Sequence, residues 1–232
     1  MEHVNTKYPR TYHLPWSPGA TKDDKKLKDN WFKYYMGKEI VITEKLDGEN
    51  TCMNHYDVFA RSHGAPTRSA WSRNMWDKNG TWQKCYQFIG EHEWVYGENL
   101  FGEHSIHYDK LKEYFHVFAV RNDDMYLWYS WDDVVTMASL LELPTVPVLW
   151  RGTINSISEL KTLVDYFITQ PSVYGPTCEG VVIRITDEFP IDEFSHNVCK
   201  WVRPNHVQTD EHWTRNWKKA ELINNGKQDI SE

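Results

Sequence analysis

The chain has 232 residues, a length that fits one large domain or two small ones and can bury a core without disulfide or metal staples. Its net charge of -7 does not suit a protein that coats nucleic acid, so polynucleotide binding would require a local concentration of Lys and Arg. The four cysteines lie far apart without a Cys-x-x-Cys pair, which argues against structural zinc and a disulfide framework and favours a reducing cytosol.

The N-terminus carries charges and a proline where a signal peptide has an apolar run, and no stretch reaches the ~18 apolar residues of a membrane span. We therefore expect a soluble, cytoplasmic protein without membrane contact. Twelve Trp and thirteen Tyr make the chain rich in aromatic residues. Most of these rings are expected in the core, although aromatic faces also stack on nucleobases.

The opening thirty residues are polar and rich in Lys and Asp, and they predict a lead-in with one short helix at most. Residues 39–43 and 51–62 have the β-branched, apolar composition of strands, and the polar stretch EKLDGEN between them is expected at a strand end or turn. Aromatic and apolar side chains recur at helical spacing over residues 67–89, where Asn79 and Gly80 divide the run into two helices.

Further strands are predicted at residues 93–99, 115–121, 125–129, 180–186 and 196–202. Ser130 with Asp133, and the capping box of Ser156 with Glu159, predict the starts of two helices. A last amphipathic helix is predicted from about residue 208 to 224. Strands clustered around interposed helices indicate an α+β fold, with largely antiparallel sheets around a central cleft.

The tetrapeptide Lys45-Leu46-Asp47-Gly48 has the form Lys-x-Asp-Gly, in which a lysine amine can attack the α-phosphate of a nucleotide and form a phosphoramidate. By composition, such a pattern arises in about one chain of this length in twenty. The alternative interpretation is a surface turn in which Asp47 and Gly48 close a hairpin. Other matching segments are needed to decide between the two.

Five later segments complete, in order, a pattern that resembles the RNA ligase family of the covalent nucleotidyltransferase superfamily. EKLDGEN resembles the nucleophile motif, and it is followed by FARS, WVYGENLFG, HVFAV, CEGVVIR and VCKWVR. Together they span residues 44 to 203. The resemblance implies a nucleotidyltransferase domain (an ATP-grasp-like ligase adenylation domain, similar to RNA ligase 2) with mostly antiparallel sheets flanking a nucleotide cleft.

The resemblance also implies three catalytic residues. Lys45 would be the adenylated lysine, Glu179 would face the α-phosphate and organise a divalent cation, and Lys200 would contact the α-phosphate. Many family members have a second basic residue where this chain has Val202, and Arg203 is the candidate replacement. Because a free lysine is protonated at neutral pH, the site is expected either to depress the pKa of Lys45 or to draw off its proton, with Lys200 and a bound metal as the cations nearby.

Further residues match positions that bind the nucleotide in the family. Glu44 would meet the adenine through a backbone group, Asn50 would touch the ribose or a phosphate, and Arg61 would hold a phosphate. Glu98 would bind a ribose hydroxyl or metal-bound water, so that Glu98 and Glu179 are the expected metal ligands. Phe118 would stack on the purine, although the family often carries Asp at the next position, where this chain has Ala.

The function implied is an ATP-dependent RNA ligase that uses Mg²⁺ or Mn²⁺. AMP would pass from ATP to Lys45 and then to an RNA 5′-phosphate, and a 3′-hydroxyl would displace AMP to seal the strand. RNA is the expected partner, as a nicked duplex or a broken tRNA, with a DNA strand as a second candidate and a monomer as the expected state. The alternatives are a small DNA ligase, a guanylyltransferase, or a catalytically inactive module that binds nucleic acid.

The expected domains are an adenylation domain at residues 1–205 and a short helical extension at 206–232, which is too short for the OB-fold of about 100 residues found in related ligases. In that extension Trp213 and Trp217 are expected to pack on the core. The histidines lack the partners of a zinc site, and the GENLFG run lacks the Gly-Lys-Ser/Thr ending of a P-loop.

Overall fold

The computed structural model describes residues 7–61, 65–204 and 216–223, and these residues form two β-sheets with helices around them. The described strands are β1 (Tyr12–His13), β2 (Glu39–Lys45), β3 (Glu49–Asn54), β4 (Val58–Ala60), β5 (Glu93–Asn99), β6 (Phe115–Asn122), β7 (Leu127–Trp128), β8 (Val148–Thr153), β9 (Gly180–Ile185), β10 (Phe189–Pro190) and β11 (Val198–Val202). The α-helices are α1 (Arg73–Trp76), α2 (Thr81–Cys85), α3 (Trp131–Leu140), α4 (Ile157–Phe167) and α5 (Phe194–Asn197). Single turns of 3-10 helix cover Trp31–Tyr34, Ala70–Ser72, Tyr86–Phe88 and Ile191–Glu193.

The first sheet has the strand order β1-β11-β9-β2-β8, and the second has the order β10-β7-β6-β5-β3-β4. Among the strands that the structure describes, every neighbouring pair is antiparallel except β1 with β11, which is parallel. The predicted α+β fold with mostly antiparallel sheets is therefore confirmed.

The turn between β2 and β3 carries the chain from one sheet to the other. β2 pairs with β8 and β9, whereas β3 pairs with β4 and β5. The alternative that Asp47 and Gly48 close a hairpin is therefore wrong, because the strands on either side of them are not partners.

Alternation along the central strands divides the core into two clusters. Met53 and Val95 belong to one cluster, and their neighbours Cys52 and Tyr96 belong to the other. Successive side chains of a strand point to opposite faces, so strands that are buried on both faces must be apolar almost throughout. This explains why the strands were readable from composition.

Both predicted helix starts are confirmed. The Ser130 side chain accepts a hydrogen bond from the Asp133 amide at the start of α3, and the Ser156 side chain accepts one from the Glu159 amide at the start of α4 (both 3.1 Å). Each bond satisfies one of the amides that a helix leaves unpaired in its first turn.

Several boundaries differ from the prediction. The strand predicted at 125–129 is reduced to Leu127–Trp128, because Tyr126 adopts a left-handed backbone conformation (φ 56°). The strand predicted at 196–202 begins at Val198, since the preceding residues form α5. The helices predicted at 67–89 are single turns, and β8 was not predicted at all.

The predicted C-terminal helix does not form over residues 216–223, and the rest of it, with Trp213, lies outside the described residues. Here the chain is held by backbone pairing instead: the Glu103 amide donates to the Lys218 carbonyl, and the Ala220 amide donates to the Phe101 carbonyl. Trp217 packs beside the Phe101 ring, with 5.9 Å between the ring centroids. The division at residue 205 stays a prediction.

Gly180 is expected to be essential to the pairing of β9 with β11. A Cβ atom at this position would overlap the Trp201 carbonyl, and the neighbouring backbone of β11 is only 3.0 Å away. Backbone cannot move aside as a flexible side chain can, so Gly180→Ala should lower the free energy of unfolding by about 2 kcal/mol or more. Urea denaturation followed by tryptophan fluorescence measures this change.

Gly90→Ala provides the matched control, because the atoms that a Cβ would meet there belong to the flexible Glu93 side chain. We expect this control to unfold within about 0.5 kcal/mol of the parent protein. Equal stability of the two variants would contradict the assignment of strain to the β9–β11 contact.

Candidate functional site

A cleft of about 780 Å³ brings together most of the residues that the sequence singles out. Its lining includes Glu44, Lys45, Asn50, Arg61, Glu98, Phe118 and Lys200. Glu179 does not line the cleft, but it lies directly behind Lys45 and is almost completely buried. Arg203 is not part of the lining, so the structure does not place it where a second basic residue would face a nucleotide.

Lys45 and Glu179 form an ion pair where β2 ends and β9 begins in the first sheet. The Lys45 Nζ atom donates to Glu179 Oε2 at 2.7 Å, and the side chains are 24 % and 4 % exposed. The pair follows from strand register, because Lys45 at the end of β2 lies opposite Gly180 at the start of β9. Glu179, the residue before Gly180, is thereby positioned beside the lysine.

Glu98 reaches the same place from the second sheet. It lies opposite Asn50 in the pairing of β5 with β3, and its Oε1 atom accepts a hydrogen bond from the Gly48 amide at 3.0 Å. A Cβ at Gly48 would come within 2.6 Å of the Asn99 carbonyl oxygen, so the close approach of the turn to β5 needs a glycine. The carboxylate and the turn that follows Lys45 are fixed to each other.

The turn after Lys45 is held from a third direction by a loop that sequence reasoning did not assign to the site. Asp47 Oδ2 accepts hydrogen bonds from the amides of Ser105 (2.9 Å) and Ile106 (3.0 Å), and the Asp47 amide donates to the Tyr108 hydroxyl. His104, in the same loop, lines the cleft. The Asp of Lys-x-Asp-Gly therefore anchors the turn, which leaves the lysine as its chemically active member.

Lys200 enters the cleft from β11, where it lies opposite Val182 of β9 and next to His13 of β1. Burial and, to a smaller extent, the Lys45 cation lower the pKa of Lys200 to about 8, although Asp24 and Glu179 act in the opposite direction. A lysine in this environment readily gives up hydration for contact with an anionic ligand.

The pKa of Lys45 differs in direction from the prediction. Burial acts to lower this pKa, but the charges of Glu179 and Glu98 outweigh burial and raise it above the ordinary value for lysine. The predicted depression by Lys200 is therefore wrong for the protein on its own. Lys45 rests as an ammonium ion between carboxylates.

Both carboxyl groups are in turn difficult to ionise. Burial raises the pKa of Glu98 to about 7, although Lys45 and the Gly48 amide act in the opposite direction. Burial also raises the pKa of Glu179, again against the effect of Lys45. Perturbed groups that converge on one cleft are typical of functional sites.

Glu44 and Phe118 occupy the inner part of the cleft. Glu44 is buried, its amide donates to the Pro147 carbonyl, and its Oε2 atom accepts from the Val173 amide at 2.9 Å. Phe118 is half-buried on β6 and makes an edge contact with Tyr8, with ring centroids 5.0 Å apart. The Glu44 amide is thus already engaged, which disfavours the expected backbone contact with adenine through this group.

Asn50 lies on β3, and Arg61 directly follows the neighbouring strand β4. The Asn50 carbonyl accepts from the Arg61 amide at 3.1 Å, and Arg61 is exposed at the mouth of the cleft. The Asn50 side-chain oxygen is buried and makes no hydrogen bond within the described part of the chain. An acceptor of this kind can pair with a hydroxyl group of a ligand.

Two residues of the cleft wall were missed by sequence reasoning. Tyr8 lies in the lead-in and packs against Tyr96, Phe118 and Trp128, and no local pattern marks it. Arg184 ends the CEGVVIR segment and is buried, donating to the Tyr129 carbonyl at 2.6 Å. Its position five residues after Glu179 was the available signal.

Within the described residues, no three His, Cys, Asp or Glu side chains form a cluster of the kind that holds a metal ion by itself. Any divalent cation would need ligands beyond Glu98 and Glu179. A separate search of the described helices found none of the length and apolarity that a membrane crossing requires.

Comparison with known proteins identifies the family to which the chain is similar. A model of the RNA ligase family matches residues 38–202, well over half of the chain, whereas the curated proteins contain no match. Among solved structures, a variant of the Naegleria gruberi RNA ligase with ATP and Mn is 20 % identical, with a TM-score of 0.55, over 74 % of this chain and 52 % of that one. The same ligase with PPi is 17 % identical, with a TM-score of 0.54, over 84 % and 60 %.

A further variant of that ligase, with AMP and Mn, is 18 % identical, with a TM-score of 0.54, over 85 % of this chain and 62 % of its own. The chain thus spans about half to three fifths of the length of these solved ligases. The similarity shows a shared fold, and the family match covers every strand from β2 to β11. The chain therefore belongs to the RNA ligase family.

Proposed function

We propose that the protein is an ATP-dependent RNA ligase whose nucleophile is the Lys45 amine. The observation that carries the proposal is the convergence of Lys45, Glu98 and Lys200 on one cleft, from two sheets, with Glu179 paired to Lys45 directly behind it. The family match and the fold shared with ligases described with ATP, AMP and Mn support a nucleotidyltransferase fold and the same cofactors.

In the first step the Lys45 nitrogen would attack the α-phosphorus of ATP. A nitrogen–phosphorus bond forms, the bond from the α-phosphorus to the bridging oxygen breaks, and pyrophosphate leaves. Phosphoryl transfer depends mainly on in-line positioning and on neutralising the phosphate oxygens. Lys200 and Arg61 line the cleft where they can contact those oxygens, and Phe118 offers a ring face to the purine.

The attacking amine must first lose its proton, and the carboxylates beside it oppose that loss. Glu98 and Glu179 suit Mg²⁺ or Mn²⁺, because such ions prefer oxygen ligands and commonly bind through one or two carboxylates together with substrate phosphates. A divalent cation supplies positive charge, which would offset the carboxylates acting on Lys45. Glu179, at 2.7 Å from the amine, is the group positioned to receive its proton.

The two later steps follow from the same residues. An RNA 5′-phosphate would take AMP from Lys45, and a 3′-hydroxyl would then displace AMP and form the phosphodiester bond. The cations that stabilise charge on the α-phosphate in the first step are positioned to do so again, since the same phosphorus reacts. The exposed position of Arg61 at the mouth suits contact with the incoming strand.

Lys45→Ala should abolish covalent labelling of the protein by ATP carrying a radioactive α-phosphate, in the presence of Mg²⁺ or Mn²⁺. The reason is that, among the described residues, the Lys45 amine alone forms a salt bridge with Glu179. Labelling is measured by gel electrophoresis under denaturing conditions, and mass spectrometry of the labelled peptide locates the AMP.

Lys38→Ala is the matched control, because Lys38 is exposed and precedes the far end of the same strand. It should label like the parent protein. Labelling that persists in Lys45→Ala would exclude the proposed nucleophile, and labelling by GTP in preference to ATP would favour a guanylyltransferase. Sealing assays with nicked RNA, DNA and hybrid duplexes identify the polynucleotide.

Glu98→Gln should stabilise the protein at alkaline pH when divalent metal is removed by EDTA. The pKa of Glu98 is raised to about 7, so the folded protein binds this proton more tightly than the unfolded chain does. The resulting cost of ionisation is absent near pH 4.5, grows as pH rises to 7, and is fully present at pH 8. Its removal should add roughly 2 kcal/mol to the free energy of unfolding at pH 8 and almost nothing at pH 5.

Glu91→Gln, an exposed change seven residues earlier, controls for the general effect of removing one negative charge. Urea denaturation of the parent and both variants at the two pH values gives the comparison. A stability gain for Glu98→Gln that is the same at pH 5 and pH 8 would contradict a buried carboxyl group with a raised pKa.

A further inference from the structure

Basic residues outnumber acidic ones in one surface segment of this acidic protein, residues 7–28, here called the basic segment. The whole chain has 26 Lys and Arg against 33 Asp and Glu, whereas the basic segment has two acidic residues, Asp23 and Asp24. Its six cations are all exposed, and they are Lys7, Arg10, Lys22, Lys25, Lys26 and Lys28.

In the described residues five of these cations lack a salt bridge, as do other exposed lysines such as Lys38 and Lys84, whereas three surface arginines are paired. Arg68, Arg73 and Arg151 each form a salt bridge with a carboxylate. In the part of the chain that the structure describes, Arg10 and the lysines at positions 22, 25, 26 and 28 form no salt bridge. Their charge therefore remains available to an anionic ligand.

One of the two acidic residues of the basic segment is turned inward. Asp24 Oδ2 accepts from the Thr21 amide and hydroxyl at 3.0 and 2.9 Å, and it lies 3.7 Å from the buried His13 ring. Arg10 and the Asp23 carbonyl are joined by a hydrogen bond of 2.7 Å, which draws the two ends of the segment together. The cations consequently occupy one folded unit.

The basic segment lies against the candidate site. Tyr8, Pro9 and Thr11 line the cleft, and they alternate with Lys7 and Arg10 along the chain. In β1, His13 pairs with Lys200, and the Leu14 amide donates to the Lys200 carbonyl at 2.8 Å. Lys7 and Arg10 are thus adjacent in the chain to residues that line the cleft into which Lys45 and Lys200 project.

The segment is also firmly attached. The Ser17 hydroxyl accepts from the Val202 amide at 3.0 Å and lies 2.9 Å from His13 Nδ1, and both polar side chains are buried. The His13 amide donates to the Lys25 carbonyl, and the Leu27 amide donates to the His13 carbonyl, each at 2.8 Å. A surface held in this way can bind a ligand without a large ordering cost.

We propose that the basic segment binds the phosphate backbone of the RNA strand whose end enters the cleft. It lies before residue 38, outside the residues that the family model matches. The inference rests on the proposed ligase function for the identity of the polynucleotide. Exposed lysines and arginines suit this role, because each phosphate they neutralise releases a bound counterion.

The test uses the triple variant Arg10→Gln, Lys25→Gln, Lys26→Gln and a fluorescein-labelled, 5′-phosphorylated single-stranded RNA. Fluorescence anisotropy at salt concentrations from about 50 to about 200 mM gives the dissociation constant and its salt dependence. We expect at least about tenfold weaker binding at the lowest salt, and a slope of log affinity against log salt that is smaller by about 2, for three lost contacts.

The triple variant Lys38→Gln, Lys84→Gln, Lys161→Gln removes the same charge from exposed positions on β2's far end, α2 and α4. It should bind the RNA within about twofold of the parent, because its lysines lie outside the basic segment. Equal affinity and equal salt slope in the two triple variants would overturn the proposal, as would a parent protein that does not bind the RNA.

Self-labelling with ATP in the absence of RNA separates this inference from the proposed function. If the parent labels and seals RNA but the first triple variant binds RNA normally, the basic segment is excluded and the ligase assignment stands. If RNA binding depends on the segment but Lys45 is never labelled, the ligase assignment fails and the binding surface stands. If the first triple variant has a higher KM for nicked RNA but is labelled by ATP at the rate of the parent, both the role of the basic segment and the ligase assignment are supported.

Discussion

The ion pair of Lys45 with Glu179 is the contact on which the geometry of the cleft depends. It exists because β2 and β9 are neighbours in a fixed register, with Lys45 opposite Gly180. A shift of one residue would turn every side chain of β2 to the other face and remove the pair. Gly180 connects this register to the next strand, since only a residue without a Cβ lets β11 approach there. Lys200 is positioned by the same pairing.

The second sheet contributes through the turn that follows the lysine. Because residues 46–48 cross from the first sheet to the second, the amide of Gly48 can bond to Glu98 while Asp47 bonds to the loop at Ser105. Two carboxylates from different sheets therefore act on one amine. A short, glycine-containing turn is the simplest way to bring sheets that share no strand pairing into such contact.

Sequence patterns predicted the strands and helices that depend on interactions between residues close together in the chain. β2 and β5 were readable because buried strands are apolar throughout, and α3 and α4 because Ser130 and Ser156 cap them. The motif order also led to the residues of the cleft, although their roles stay predictions. Tyr8, β1 and β8 could not be found, since they owe their positions to partners far away in the sequence. The direction of the Lys45 pKa was mistaken because it depends on distances to two carboxylates that no spacing reveals.

In the proposed reaction, the charged groups of the cleft would act on the nucleotide, and the charged groups of the surface would act on the RNA strand. Inside the cleft, the charges of Glu179 and Glu98 hold the pKa of Lys45 above its ordinary value, and a cation-bearing nucleotide would offset those charges. Such a ligand would be electrically closer to neutral than a bare polyphosphate, which suits a site where burial lowers the pKa of Lys200 to about 8. An RNA strand brings a long row of uncompensated phosphates, which the interior cannot accommodate. The exposed cations of the basic segment meet that charge outside, where both partners remain hydrated and the association stays reversible.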